Sequence, residues 1–439
     1  MSSQPAAATR PWTAPVADGK VSATVTLPGS KSVTNRAIIL AAQAAGESRI
    51  GAPLRSRDTD LMVAALRQLG TEVREDQQSD GWLVRPAPLR GPADIDCGLA
   101  GTVMRFLPPL VATGAGRIRF DGDPAARRRP MGEILRALRA LGADLEGDGL
   151  PFVLQGTGSL RGGEVTIDAS ASSQFISGLL LSGASFERGL TVHHDGRSVP
   201  SLPHIAMTID LLRRHGVPVD DSEPNTWHVD PGPIGPWTQT IEPDLSNATV
   251  PLAAAAVTGG TVSVLHWPEL TTQPGDEFRD IVQRMGATVS LTAGVLRVTG
   301  PDRLQGIDID LHGASELTPT VAALAAMAEG PSHLRGIGHI RGHETDRLAA
   351  LEQNLRAVGV DAGSDDDALH IVPPSGSLHG AAWAAFADHR IATAGAIIGL
   401  RVPGIVVDEI DCTAKTFPDF GTFWAGLLDG DRPGTGWSS

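Results

Sequence analysis

The feature that most constrains this chain is a repeat of about seventy residues. Five segments share one form: an apolar helix end, a glycine, then an alternating strand. They are LRQLGTEV at Gly70, LRALGADL at Gly142, LRRHGVPV at Gly216, VQRMGATV at Gly286 and LRAVGVDA at Gly359. Each glycine stands where a helix C-terminal cap calls for positive φ. A second set of landmarks runs in phase, each a polar or Gly-containing cluster followed by a small-residue helix. They are SVTNRAIILAA after Lys31, LAGTVMRFLPPL after Cys97, SSQFISGLLLSGA after Ala171, SNATVPLAAAA after Leu245, ELTPTVAALAA after Ser315 and DHRIATAGAII after Ala387. That makes six units, each reading strand, helix, strand, helix and further strand, so the fold class is α/β. A chain of 439 residues is too long for one ordinary core, and two or more domains are expected.

The repeat bears on function through helix starts. A helix N-terminus exposes unpaired N–H groups and carries partial positive charge. Six such starts aimed at one place would bind anions without a large excess of basic residues. Taken singly, these Ser, Thr and Asn residues read as ordinary N-caps. The net charge of −14 makes non-specific binding to nucleic acid or to a membrane surface unfavourable, so any bound anion needs a local site. Only three lysines occur, Lys20, Lys31 and Lys415, and tyrosine is absent. Two cysteines, Cys97 and Cys412, suit a reducing compartment. Residues 1–16 lack an apolar signal segment and read as a flexible leader. No apolar run approaches membrane-spanning length, so a cytoplasmic protein is expected.

Familiar nucleotide and metal motifs do not fit. PGSKS at Pro28–Ser32 has Ser30 where a P-loop needs glycine. Gly156-Thr157-Gly158 has Arg161 at the third glycine position of a dinucleotide fingerprint. His339 and His343 are four apart, but Gly342 and the following Glu-Thr-Asp break the zinc-helix pattern. No metal and no cofactor are expected.

Five segments taken together are far more specific: PGSKSVTNR (28–36), LAGTVMR (99–105), SSQF (172–175), HETDR (343–347), and DHR (388–390) with TAKTFP (413–418). In this order and spacing they resemble the 5-enolpyruvylshikimate-3-phosphate synthase family, the 3-phosphoshikimate 1-carboxyvinyltransferases, over nearly the whole chain. The resemblance implies a two-domain inverse α/β barrel with six βαβαββ repeats, three per domain around a pseudo-threefold axis, and an active-site cleft between the domains. It places residues 17–28 and 242–439 in a discontinuous first lobe and 29–241 in the second. It implies addition of the 5-hydroxyl of shikimate 3-phosphate to C2 of phosphoenolpyruvate, protonation of C3, and loss of phosphate. It also implies a monomer, inhibition by glyphosate, and small-molecule substrates with no nucleic-acid or membrane partner.

That chemistry must hold two phosphates and two carboxylates, which calls for Arg forks, Ser hydroxyls and helix N-termini. One base and one acid must move protons. By resemblance, Lys31 touches both substrates and assists Glu316 in catalysis, and Ser32 and Arg36 hold the shikimate carboxylate side. Ser172, Ser173, Gln174 and Ser201 hold the 3-phosphate and ring, with His343 near that phosphate. Gly101, Arg129, Gln174 and Lys415 serve phosphoenolpyruvate, and Arg347 and Arg390 its carboxylate. Glu316 is the expected base for the 5-hydroxyl. Glu344, with Lys415, is the expected acid for carbon. Asp244 matches a hinge-region acid with a positional role. Several positions depart from the commoner pattern. Leu99 stands for Asn, Phe106 for Pro, Glu316 for Asp, His343 for Lys, and His204 where some members have Tyr. Arg127 and Arg128 beside Arg129 leave the assignment within RRRP open.

The enolpyruvyl transferases acting on UDP-N-acetylglucosamine use a loop cysteine, and neither Cys97 nor Cys412 lies in the expected loop. A nucleic-acid protein like the RNA-terminal phosphate cyclases is disfavoured by the charge and by the lack of tyrosine for stacking. A non-catalytic relative would have lost key charges, which this chain retains.

Overall fold

The structure, a computed structural model, describes residues 11–430. These divide into two compact units. One comprises residues 11–27, 245–269 and 275–430; the other comprises 28–244 and 270–274. The expected division gave all of 242–439 to one lobe. The short segment 270–274 instead belongs with the 28–244 unit, because Thr271 Oγ1 and Gln273 Nε2 both donate to Glu242 Oε2, at 2.8 and 2.9 Å.

Six sheets occur among the described residues, three in each unit. Five are four-stranded with one recurring order: a parallel pair, then two antiparallel neighbours. In the sheet ordered Ala93–Asp96, Ala115–Asp121, Phe152–Thr157, Asp144–Glu146, the first two strands are parallel and the rest antiparallel. The sheet ordered Gly163–Ile167, Leu190–His194, Thr226–Val229, Val219–Asp220 repeats this pattern. A parallel pair needs a crossover; the helix Gly101–Val111 supplies it between Ala93–Asp96 and Ala115–Asp121, and Gln174–Gly183 between Gly163–Ile167 and Leu190–His194. Glycines 70, 142, 216, 286 and 359 all have positive φ, as helix ends there require.

The core of each unit holds three helices packed on one another. In the 28–244 unit these are Lys31–Ala41, Gly101–Val111 and Gln174–Gly183. In the other they are Leu245–Thr258, Thr318–Ala325 and His389–Gly399. A helix apolar on all faces must be buried on all faces. Every residue of Gly101–Val111 is buried, and so is every residue of Thr318–Ala325. The small residues that made these segments look like short apolar runs are what lets three helices approach closely.

The leader expectation needs correction over residues 11–16. Trp12 and Thr13 pair antiparallel with Val407 and Val406, and Ala14 N–H donates to Ile405 O at 2.9 Å. Ala14 is buried against Gly399. A Pro-flanked polar segment gives no sign of this, because its partner strand lies at the far end of the sequence. Residues 1–10 of that leader lie outside the described residues. Among the described residues, no helix is long and apolar enough to cross a membrane.

Candidate active site

In the 28–244 unit the matched residues gather at helix starts. Ser30 caps the helix Lys31–Ala41, its Oγ accepting from Val33 N–H at 3.5 Å. Asp244 accepts the Lys31 N–H at 3.0 Å, so the expected positional acid acts as a second cap on the same turn. The Lys31 ammonium extends toward Asp58 Oδ2 at 3.5 Å.

Arg36 lies one turn further along and is 1% exposed. Its guanidinium donates to Thr208 Oγ1 (2.8 Å), Ser32 O (3.0 Å), Ser177 Oγ (3.3 Å) and His204 O (3.0 Å). It also packs over the Phe106 ring at 4.9 Å. Its acceptors are all neutral, and no carboxylate among the described residues lies within ion-pair distance of it. Burial pulls its pKa down to about 9, which leaves it charged at neutral pH.

A second cluster surrounds Gly101, the first residue of its helix. A Cβ there would stand 3.0 Å from Arg105 Nη1, 3.0 Å from Gln174 Oε1 and 3.1 Å from Arg129 Nη1. Glycine is needed because two guanidinium groups and an amide already occupy that space. The structure thus brings Gly101, Gln174 and Arg129 together, and adds Arg105. Arg105 is 2% exposed, donates to Gln174 Oε1 at 2.9 Å and Pro130 O at 3.0 Å, and stacks on Phe175. The sequence signal was available: an arginine four residues after Gly101 on an otherwise apolar helix. Within RRRP, Arg127 and Arg129 have different partners. Arg127 is committed to Asp121 at the surface, whereas Arg129 donates to Leu99 O at 3.1 Å beside Gly101.

Ser172 and Ser173 form the turn that opens the helix Gln174–Gly183, with Gln174 N–H donating to Ser172 Oγ at 3.3 Å. Ser201 precedes the helix Leu202–Arg214 with φ of 52°, a left-handed conformation unusual for serine.

The other unit holds a charged cluster. Arg347, 2% exposed, is gripped by Asp388 through Nε (2.8 Å) and Nη2 (3.2 Å), and donates to Glu344 Oε2 at 3.0 Å. Burial opposes its charge, but Asp388 and Glu344 outweigh burial and raise its pKa. Its Nη1 faces His343 Nδ1 at 3.2 Å, and because a guanidinium only donates, that ring nitrogen accepts. Lys415 Nζ donates to Glu344 Oε1 at 2.5 Å. Asp388 also caps the helix His389–Gly399, accepting from Arg390 N–H at 2.9 Å. It therefore fixes one expected carboxylate-binding arginine by its side chain and the other by its backbone. Sequence reasoning passed over Asp388, although it is the acid of the DHR segment.

Glu316, 9% exposed, lies in the short turn Ser315–Leu317 and accepts from Ser246 Oγ at 3.4 Å. Burial and the neighbouring Glu316 charge raise the Glu277 pKa, which marks a second acid close by. His339 Nε2 meets Ser315 Oγ at 2.7 Å, and burial followed by the neighbouring His312 lowers its pKa to about 4. Among the described residues no group of three or more His, Cys, Asp or Glu is arranged to hold a metal ion.

Comparison with known proteins gives consistent results. Residues 16–424 match the family model described as EPSP synthase (3-phosphoshikimate 1-carboxyvinyltransferase). The chain is 53% identical over 428 residues to the 3-phosphoshikimate 1-carboxyvinyltransferase of Mycobacterium ulcerans (strain Agy99), covering 96% of this chain and 98% of that protein. Among solved structures, EPSP synthase from Acinetobacter baumannii matches with a TM-score of 0.77 at 25% identity, over 95% of this chain and 97% of the other. The enolpyruvyl transferase NikO from Streptomyces tendae matches with a TM-score of 0.74 over 95% and 98%; at 20% identity this is a likeness of fold alone.

Proposed function

The chain belongs to the EPSP synthase (3-phosphoshikimate 1-carboxyvinyltransferase) family, and on that premise we propose how its residues divide the reaction. The protein transfers the enolpyruvyl group of phosphoenolpyruvate to the 5-hydroxyl of shikimate 3-phosphate, releasing phosphate, as a step of the shikimate pathway.

Ser172, Ser173, Gln174 and Ser201 hold the 3-phosphate and ring, with His343 near the phosphate. Lys31, Ser32 and Arg36 take the shikimate carboxylate side. The support is the buried Arg36 guanidinium with only neutral acceptors, to which a substrate carboxylate would supply the missing counter-charge. Gly101, Arg129, Gln174, Lys31 and Lys415 receive the phosphoenolpyruvate phosphate and enol, and Arg347 and Arg390 its carboxylate. Glu316 removes the 5-hydroxyl proton.

The observation that carries the acid assignment is the meeting of Lys415, Glu344 and Arg347, with Lys415 and Glu344 drawn from positions 71 residues apart. Both cations hold the carboxylate of Glu344, one on each oxygen. A phosphoenolpyruvate carboxylate on Arg347 would compete with Glu344 for that guanidinium. Relieved of one cation, Glu344 could take a proton from Lys415 and deliver it to C3.

Each unit is read as an inverse α/β barrel of three repeats, sheets outside and helices inside. The recurring sheet order and the three buried helices per unit support this.

Phosphate release under substrate swaps tests the assignment. Release requires both shikimate 3-phosphate and phosphoenolpyruvate, and glyphosate competes with the latter. Release with UDP-N-acetylglucosamine replacing the shikimate, or glyphosate inhibition non-competitive with phosphoenolpyruvate, would contradict it.

A further inference from the structure

Two loops carry the serines assigned above to the 3-phosphate. One leaves the strand Gly163–Ile167 and brings Ser172 and Ser173 to the helix Gln174–Gly183. The other leaves the strand Leu190–His194 and brings Ser201 to the helix Leu202–Arg214. The two strands are parallel neighbours, with Ile167 opposite His194, so both loops emerge from the same edge of the sheet.

His194 lies at that edge, 7% exposed. Its Nδ1 accepts the Ala169 N–H at 3.1 Å, and Ile167 O lies 3.3 Å from the same nitrogen. Its Nε2 lies 2.5 Å from Arg197 O. Because Nδ1 accepts, the ring proton must sit on Nε2 and donate to Arg197 O. One imidazole therefore bonds the backbone of both loops.

Three further contacts close the same junction. Ser170 Oγ also donates to Arg197 O, at 3.1 Å. Asp168 Oδ1 accepts from Ser170 N–H at 2.9 Å and holds the first loop's turn. A Cβ at Gly196 would fall 1.9 Å from Asp168 Oδ1 and 2.4 Å from Ser170 Oγ, so the second loop lies directly on the first. Beyond the junction, Ser201 keeps its left-handed backbone, a conformation that persists only when its surroundings impose it.

We propose that His194 is a positioning residue that fixes Ser172–Ser173 and Ser201 at the separation one phosphate requires. It touches no substrate; its function is to set the distance between two anion-binding turns before the ligand arrives. The inference rests on the reading that those serines hold the 3-phosphate.

The test uses the full-length enzyme carrying His194→Phe, which keeps a flat ring and removes both bonds. The KM for shikimate 3-phosphate should rise about tenfold or more, the effect of losing one to two buried hydrogen bonds. The KM for phosphoenolpyruvate and the affinity for unphosphorylated shikimate should stay within about twofold. His194→Gln, whose amide can still donate to Arg197 O, should recover part of the loss, and it carries the same comparison if the Phe variant does not fold. Equal rises in both KM values, or equal weakening of shikimate binding, would assign His194 to fold maintenance and overturn the proposal. Ser201→Ala, measured beside it, separates the two readings. If Ser201→Ala leaves shikimate 3-phosphate binding unchanged, the phosphate assignment itself fails, and the inference with it. If Ser201→Ala weakens binding but the His194 variants do not, the positioning inference alone fails.

Discussion

Glu316 shows what a single residue can reveal at each stage. In the sequence it is one acid at the start of a small-residue helix, where an N-terminal carboxylate is commonplace. In the structure it is nearly buried, bonded to Ser246 Oγ and close enough to raise the pKa of Glu277. Replacing Glu316 with Gln should lower kcat by about 10²–10⁴ while changing shikimate 3-phosphate affinity little, because removing a proton is a transition-state task. Steady-state kinetics beside equilibrium binding will check this, and an unchanged kcat would remove Glu316 from the mechanism. Gly101, Arg347 and Lys415 could be singled out in the sequence because each sits in a short, distinctive string, whereas Arg129 stood open among the arginines of RRRP. Arg105 and Asp388 lie in such strings as well, but their importance, like that of His194, lies in partners such as Gln174, Arg347 and Arg197 that only folding brings near.

Among the elements, the helix His389–Gly399 depends on Asp388 twice, as its cap and as the partner of Arg347. Asp388→Ala leaves a buried guanidinium with one carboxylate fewer, and should destabilise the protein by about 3–5 kcal/mol. Asp388→Asn keeps a cap acceptor and should cost less. The order of the two melting temperatures, with a raised phosphoenolpyruvate KM in both, is the measurement. Were the two variants equally stable, the charge on Asp388 would have no structural role. The strand Trp12–Thr13 offers a second prediction at this scale. A chain beginning at Ala17 loses an edge strand, the Ala14 contact with Gly399 and the edge-on packing of Trp12 against Phe420. It should unfold with roughly 2–4 kcal/mol less stability, as for removal of a partly buried aromatic. Equal denaturant midpoints for the two chains would return this segment to the status of a leader.

For the molecule as a whole, stability should depend on pH through His339. Burial, then the neighbouring His312, lowers its pKa to about 4 from the ordinary 6.5. The unfolded chain therefore binds a proton first as pH falls. The neutral-His339 contribution is complete above about pH 6.5 and declines progressively between there and about pH 4, by at most roughly 3 kcal/mol. Melting temperatures from pH 7.5 to 4.5 should fall, and His339→Gln should flatten part of that slope; an unaltered slope would place the dependence elsewhere. At this scale the sequence by itself determined the α/β class, the phase of the repeat and the family. Those depend on local spacing: glycine after each helix, polar clusters before each buried one, and strings whose chemistry tolerates little change. Only the tertiary structure decided that Trp12 and Thr13 join a sheet, that 270–274 joins the 28–244 unit, and that among the described residues no carboxylate pairs with the buried Arg36. It also decided which arginine of RRRP reaches Gly101. The reason is physical. Local preference fixes which elements can form, whereas burial, counter-charge and hydrogen-bond partners are set by residues far apart in the chain, and no spacing rule records them.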